Sequence, residues 1–317
     1  MSKNMKNMMK IRDSIGKMGK LELKHKIIDG VSYGDHRPQV NRNPLMRIDP
    51  FSIISNADNV VPIVGHVPHG STFIPHDVRA PLLLSYEDLR KELILMTDRY
   101  TMELFSAITD LGGQIFVNNY SRLVVDPERF ENDDEEIMSQ KGMGVIYTKT
   151  ASQQMLRKEP SLIEREEILS TYFRPYHAAL RKEVQEMLER FGRCLIIDCH
   201  SFPSKPLPYE FDQSSDRPDI CIGTDQFHTP KELITQIRSF CKTNGINMVI
   251  DKPFAGTYVP LMHLHKDRRV SSIMIEVNRG LYMNEATGDR LFRFIQTKEM
   301  LDGLLKKIID RFQSGLE

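Results

Sequence analysis

The segment CLIIDCH at residues 194–200 constrains the fold more than any other. An unbroken apolar run that passes at once into Asp198 and His200 predicts a central strand delivering polar side chains at its carboxyl end. Strand alternation places Asp198 and His200 on one side of that strand. From Phe51 onward the same arrangement recurs. Short runs at 61–66 (VPIVGH), 114–119 (QIFVNN), 122–126 (RLVVD), 219–223 (DICIG), 248–251 (MVID) and 271–278 (SSIMIEVN) predict strands. Between them, helical patterns cover 89–111, 160–191 with a break at Pro175, 231–244 and 287–312, and Gly112-Gly113 closes the first. This alternation is that of an α/β fold, whose sites lie in loops after strand ends.

Residues 1–50 are of a different kind. They are rich in Lys, Met and Asn, carry few β-branched runs, and predict a basic, loosely ordered or peripheral arm with one helix around 10–26. Met8, Met9, Ile11, Ile15 and Met18 can share a face there, which fits either a solvated tail or a surface-binding helix. Residues 51–317 remain as one α/β domain. The formal charges cancel, 43 Lys and Arg against 43 Asp and Glu, so a global nucleic-acid binder is not expected. The four cysteines form no CxxC pair, which fits reduced thiols rather than a zinc ribbon. The first twenty residues carry no apolar signal-peptide core, and no run approaches the roughly 18 apolar residues of a membrane span. The expectation is a cytoplasmic protein with no membrane partner; its oligomeric state is not legible.

Five clusters carry possible chemistry. In GHVPHGS, His66 and His69 leave the first strand and Gly70 permits a tight turn; they are either a hydrogen-bonded pair at a strand end or residues aimed into a cleft. In DCHSFP, Asp198 could support a metal-bound or catalytic His200, while Ser201 caps the next turn or pairs with the His. Asp98 in TDRYTMELF is either a solvated helix carboxylate or one at the edge of the buried face. Arg122 and Arg129 in SRLVVDPERF offer rigid forks for a carboxylate, with Asp126 or the acidic loop at 131–136 as alternative partners for Arg122. Glu276 interrupts an apolar strand on the face opposite Ile273, Ile275 and Val277. Such a carboxyl is either paired, with Arg279 the nearest cation in sequence, or poised for acid–base work. Two His, an Asp and a Glu at separate strand ends match a mononuclear zinc hydrolase.

Taken in order, PHG at 68–70, TDRYTMELF at 97–105, SRLVVDPERF at 121–130, RPYHAAL at 174–180, DCHSF at 198–202, PDICIG at 218–223 and EVNRGLYM at 276–283 resemble the N-formylglutamate amidohydrolase family. The resemblance covers about residues 60–300 and leaves the arm outside. It implies a three-layer α/β/α sandwich around a mixed, mostly parallel sheet, like that of zinc-dependent exopeptidases. It further implies one Zn2+ held by His69, Asp98 and His200, with His66 the substitute for Asp98, and Glu276 as general base. Arg129 falls at the family's carboxylate clamp; Arg122, Arg279 and His177 are further substrate-binding candidates. Two departures stand out: the usual PHSG turn is PHGS, and the usual Asn before the clamp arginine is Glu128. An acidic residue there would repel a substrate carboxylate or re-pose Arg129.

The implied reaction is hydrolysis of a small anionic N-acyl amino acid, most simply N-formyl-L-glutamate to formate and L-glutamate. A zinc carboxypeptidase or another N-acyl amino-acid hydrolase would use the same residues. A catalytically silent binding or regulatory member of the family would keep the fold without turnover.

Overall fold

A computed structural model describes residues 48–56 and 61–315. The predicted arm helix at 10–26 lies outside the described residues. The described chain forms one seven-stranded sheet: β1 (Phe51–Ser55), β2 (Ile63–Val67), β3 (Gln114–Asn118), β4 (Cys194–Phe202), β5 (Ile220–Gly223), β6 (Met248–Ile250) and β7 (Val270–Asn278). Their order is β1-β3-β2-β4-β7-β5-β6. Pairing is parallel except for β1 with β3 and β5 with β7.

Of the four long helices, α1 (Tyr86–Met96) packs apart from the strands, while α2 (Arg174–Phe191), α3 (Lys231–Thr243) and α4 (Phe294–Gln313) cover the sheet. Alternation along β4 sorts them into layers. Leu195, Ile197 and Cys199 join Ile273, Ile275 and Val277 of β7 in one apolar cluster with Leu233 and Ile237 of α3 and Leu301, Leu305 and Ile308 of α4. Cys194 and Ile196 point the other way, onto Leu180, Val184 and Leu188 of α2. The result is an α/β sandwich: the alternation of apolar runs predicts the α/β class, and the family resemblance implies the sandwich. Each of these fully buried aliphatic side chains contributes about 1.5–3 kcal/mol by leaving water.

Some local expectations required correction. The pattern over 89–111 is not one helix. It is α1, capped by the Ser85 side chain accepting from the Asp88 N–H at 3.1 Å, and then two single turns, Thr101–Leu104 and Ala107–Asp110. Thr97 is extended and Tyr100 is left-handed at φ 68°, so Asp98 sits in a kinked loop rather than inside a helix. Residues 122–126 form a turn, not a strand; Leu123, Val124 and Val125 are buried in a third cluster with Tyr120, Tyr147 and Phe173, away from the sheet. The last helix begins at Phe294 rather than near 287. The break at Pro175 is a π-helical turn, Leu169–Phe173, that ends where α2 begins with Pro175 in its first turn. β1, which alternation did not single out, adds an antiparallel edge beside β3.

Candidate metal centre

The site lies at the carboxyl ends of β2, β4 and β7, as open α/β sheets dictate. Strand register makes the first contacts. Parallel pairing sets His66 of β2 opposite Asp198 of β4, and His200 of β4 opposite Glu276 of β7. Because β7 adds next to β4, a residue near the chain's end reaches a His 76 positions earlier.

The loop after β2 places His69. The Asn118 side-chain amide donates to Pro68 O at 2.9 Å, and Asp98 N–H donates to His69 O at 3.0 Å, so both sides of the turn are pinned. A Cβ on Gly70 would stand 3.1 Å from Val67 Cγ1 and 3.2 Å from Thr101 Oγ1, which explains a glycine directly after the His. His69 Nε2 lies 2.8 Å from Asp126 Oδ1. Asp126 is itself held by Arg122 at 2.7 Å, by the Tyr147 hydroxyl and by the Glu128 N–H at 3.0 Å. With the proton on Nε2 toward Asp126, His69 Nδ1 keeps its lone pair. That nitrogen is buried without a hydrogen bond, 3.8 Å from Asp98 Oδ2 and 3.6 Å from Glu128 Oε2. A carboxylate fixing one imidazole nitrogen while the other is left open is the arrangement that orients a metal-ligating His.

Asp98 and His200 complete the group. His200 Nδ1 is 3.1 Å from Asp98 Oδ2, and the Ser201 N–H donates to the same oxygen at 3.3 Å. Arg279 donates to Asp98 Oδ1 at 2.7 Å. Donor atoms of His69, Asp98 and His200 all lie within 4.8 Å of one another, and those of His66, Glu128 and Asp198 form a second such group. In the second group His66 is satisfied already, with Nδ1 2.8 Å from Asp198 Oδ1 and Nε2 2.6 Å from the Tyr176 hydroxyl. The first group has the open nitrogen, and its mixed N/O donors suit a divalent ion such as zinc.

Electrostatics point the same way. Burial works against a charged His200, but Glu128, Asp198 and Asp98 outweigh it and hold its pKa well above the ordinary value. Burial would raise the Asp98 carboxyl, yet the hydrogen bond from His200, the neighbouring His69 and the charge of Arg279 hold it well below the usual range. The carboxylates gathered around His200 favour a positive charge at this point of the cavity. Glu276 stands apart. Its Oε2 is buried without a hydrogen bond, and burial pushes its carboxyl up to about 8, with His200 opposing and Asp98 adding to the rise.

The remaining sequence candidates fall at the same cavity. Arg279 pairs with Asp98 and the Ser201 hydroxyl (3.1 Å), not with Glu276. Arg122 is taken up by Asp126 and the Tyr147 hydroxyl. Arg129 lines the cavity with Nε buried and unbonded, 3.8 Å from Asp126 Oδ2. His177, on α2, meets the Tyr258 hydroxyl at 2.9 Å, and burial together with His66 lowers its pKa to about 4, so it is neutral. Glu128 makes no ion pair with Arg129; its Oε1 lies 3.2 Å from His200 Nε2. Sequence reasoning missed the support of His69 by Asp126, whose only signal was the four-residue spacing from Arg122. It also missed Tyr258, whose N–H donates to Asp198 Oδ2 at 3.0 Å and which no motif marks.

A mixed α/β sandwich with a buried His–carboxylate centre beside an unpaired Glu defines an enzyme of the hydrolase type. The family model for N-formylglutamate amidohydrolase matches residues 61–283, and the chain belongs to that family. It is therefore a hydrolase of carbon–nitrogen bonds other than peptide bonds. An N-formylglutamate deformylase from Pseudomonas putida is 26% identical over 238 residues, covering 74% of this chain and 86% of that protein. One from Pseudomonas aeruginosa is 27% identical over 230 residues, covering 71% and 83%. Among solved structures, the N-formylglutamate amidohydrolase of Ralstonia eutropha JMP134 superposes with a TM-score of 0.74 at 23% identity, over 84% of this chain and all of that one (100%). A protein from Agrobacterium tumefaciens gives 0.61 at 16% identity, over 84% and 96%. At these identities the two structures speak for the fold. Among the described residues no helix is long and apolar enough to cross a membrane.

Proposed function

We propose that the chain hydrolyses the amide of an N-formyl or N-acyl amino acid, with N-formyl-L-glutamate, the substrate named for its Pseudomonas relatives, as the simplest case. The observation that carries this reading is the open, buried Nδ1 of His69 facing Asp98 and His200 in the same cavity as the unpaired carboxyl of Glu276.

His69, Asp98 and His200 would hold one zinc ion. When bound, such an ion acidifies a water molecule and polarises the amide carbonyl. The chain's own residues do the rest. Asp126 keeps His69 in the tautomer that leaves Nδ1 free, and Arg279 with the Ser201 N–H fixes the Asp98 carboxylate. Glu276 accepts a proton from the attacking water as the oxygen bonds to the formyl carbon. It then delivers that proton to the departing nitrogen as the C–N bond breaks, giving formate and the free amino acid. A cation beside Glu276 favours the ionised carboxylate that this first transfer needs. Arg129 binds a substrate carboxylate and positions the amide against the centre.

The experiment is a formate-release assay with N-formyl-L-glutamate on purified protein, before and after metal removal by a chelator and readdition of zinc. The proposal expects turnover that is lost with the metal and restored by it. Full turnover in metal-depleted protein would overturn the metal's part, and no hydrolysis of any N-acyl amino acid would overturn the whole.

A further inference from the structure

The cavity above the centre is much larger than the proposed simplest substrate. Its volume is about 900 Å³. Even if each of its twelve non-hydrogen atoms took the roughly 30 Å³ of a water molecule, N-formylglutamate would fill less than half of that space. Much of the remainder is apolar. Ile137, Phe211, Leu261 and Met262 line the cavity while 57–63% exposed to solvent, and the buried Phe173 and Val259 line it as well. Large apolar side chains left in water beside a catalytic cavity mark a recognition surface, because leaving them exposed forgoes burial free energy.

The cations of the cavity are unevenly available. Arg122 and Arg279 hold Asp126 and Asp98, and Arg174 holds Glu131 at 2.7 Å and Glu166. Arg129 makes no hydrogen bond to a carboxylate, its nearest lying 3.8 Å away. The lining thus combines a carboxylate anchor next to the centre with an apolar wall running out to solvent.

We infer that the cavity takes N-acyl amino acids carrying a bulky apolar group, bound by its carboxylate at Arg129 and by its apolar part along Phe211, Leu261 and Met262. This deepens the amidohydrolase reading and rests on it. The apolar group can belong to the amino acid or to the acyl chain, and the test separates the two.

The full-length protein, its metal content measured, is assayed for amide hydrolysis with N-formyl-L-glutamate, N-formyl-L-phenylalanine and N-octanoylglycine. The expected result is a kcat/KM for at least one apolar compound that is tenfold or more above that for N-formyl-L-glutamate. Preference for the first apolar compound assigns the wall to the amino-acid side chain, and for the second to the acyl chain. The converse ranking, with both apolar compounds tenfold or more below N-formyl-L-glutamate, or values within tenfold of one another, overturns the inference and leaves the amidohydrolase reading standing. If no compound is hydrolysed, that reading fails, and calorimetry decides the wall by itself: binding of N-octanoylglycine that Leu261→Asp weakens at least fivefold supports it, and no binding, or binding that the variant weakens less than fivefold, overturns it. In active protein the same variant is expected to lower kcat/KM at least fivefold more for the preferred apolar compound than for N-formyl-L-glutamate. An equal effect on both would overturn the assignment of the wall.

Discussion

Asp98 Oδ2 lies 3.1 Å from His200 Nδ1 although 102 residues separate them. The contact joins the loop after α1 to the carboxyl end of β4, and it is drawn tight from the far side by Arg279, which grips the other oxygen of Asp98. A carboxylate held at both oxygens is a rigid partner for an imidazole.

Replacing Glu276 by Gln keeps the shape of the cavity and removes its proton acceptor. The expected outcome is unchanged bound zinc, measured by elemental analysis, with kcat lowered about 10²–10⁴-fold. Full activity would remove Glu276 from the chemistry.

Asp126→Asn removes the carboxylate that orients His69 and leaves its likeness in shape. Metal affinity, measured by competition with a chromophoric chelator, is expected to fall about 10–100-fold. Unaltered affinity would mean that His69 does not need Asp126 to present Nδ1.

Glu128→Asn takes a negative charge from within 3.2 Å of His200. With less repulsion of a substrate carboxylate, KM for N-formyl-L-glutamate should fall by about three- to tenfold, a change on the order of 1 kcal/mol that suits a charge near a partly solvated cleft. A loss of bound metal instead would identify Glu128 as a ligand.

Glu92 on α1 is buried and accepts the Ala151 N–H at 2.7 Å. Burial raises its carboxyl from 4.5 to about 7, with that hydrogen bond opposing. Between these values the folded chain holds a proton that the unfolded chain has released, so this group's effect on stability becomes less favourable as pH rises from about 4.5 to about 7. The loss is on the order of 3 kcal/mol. Denaturant unfolding of the wild type and Glu92→Gln at pH 5 and pH 8 tests it: the variant should gain relative to the wild type at pH 8. A stability difference that does not change with pH would show that Glu92 titrates normally.

Much of the architecture was readable along the chain. Period-two alternation put Asp198 with His200 on one side of β4 and Glu276 opposite Ile273, Ile275 and Val277, and β4 and β7 follow it because each strand packs helices on both faces. The same reasoning failed at 122–126, where an apolar run has the length of a strand but is buried in a turn, and composition cannot tell the two apart.

Neighbours along the chain set which strands are central, which face each polar residue takes, and the ordered motifs that mark the family. Tertiary structure alone decided the pairings. Whether Arg279 meets Glu276 or Asp98, whether Glu128 faces Arg129 or His200, and which carboxylate steadies His69 all depend on strand order and on contacts spanning 57 to 181 residues. Local propensity carries no information across such distances. Burial does, because a charged group taken out of water is stabilised by whichever partner the fold brings to it.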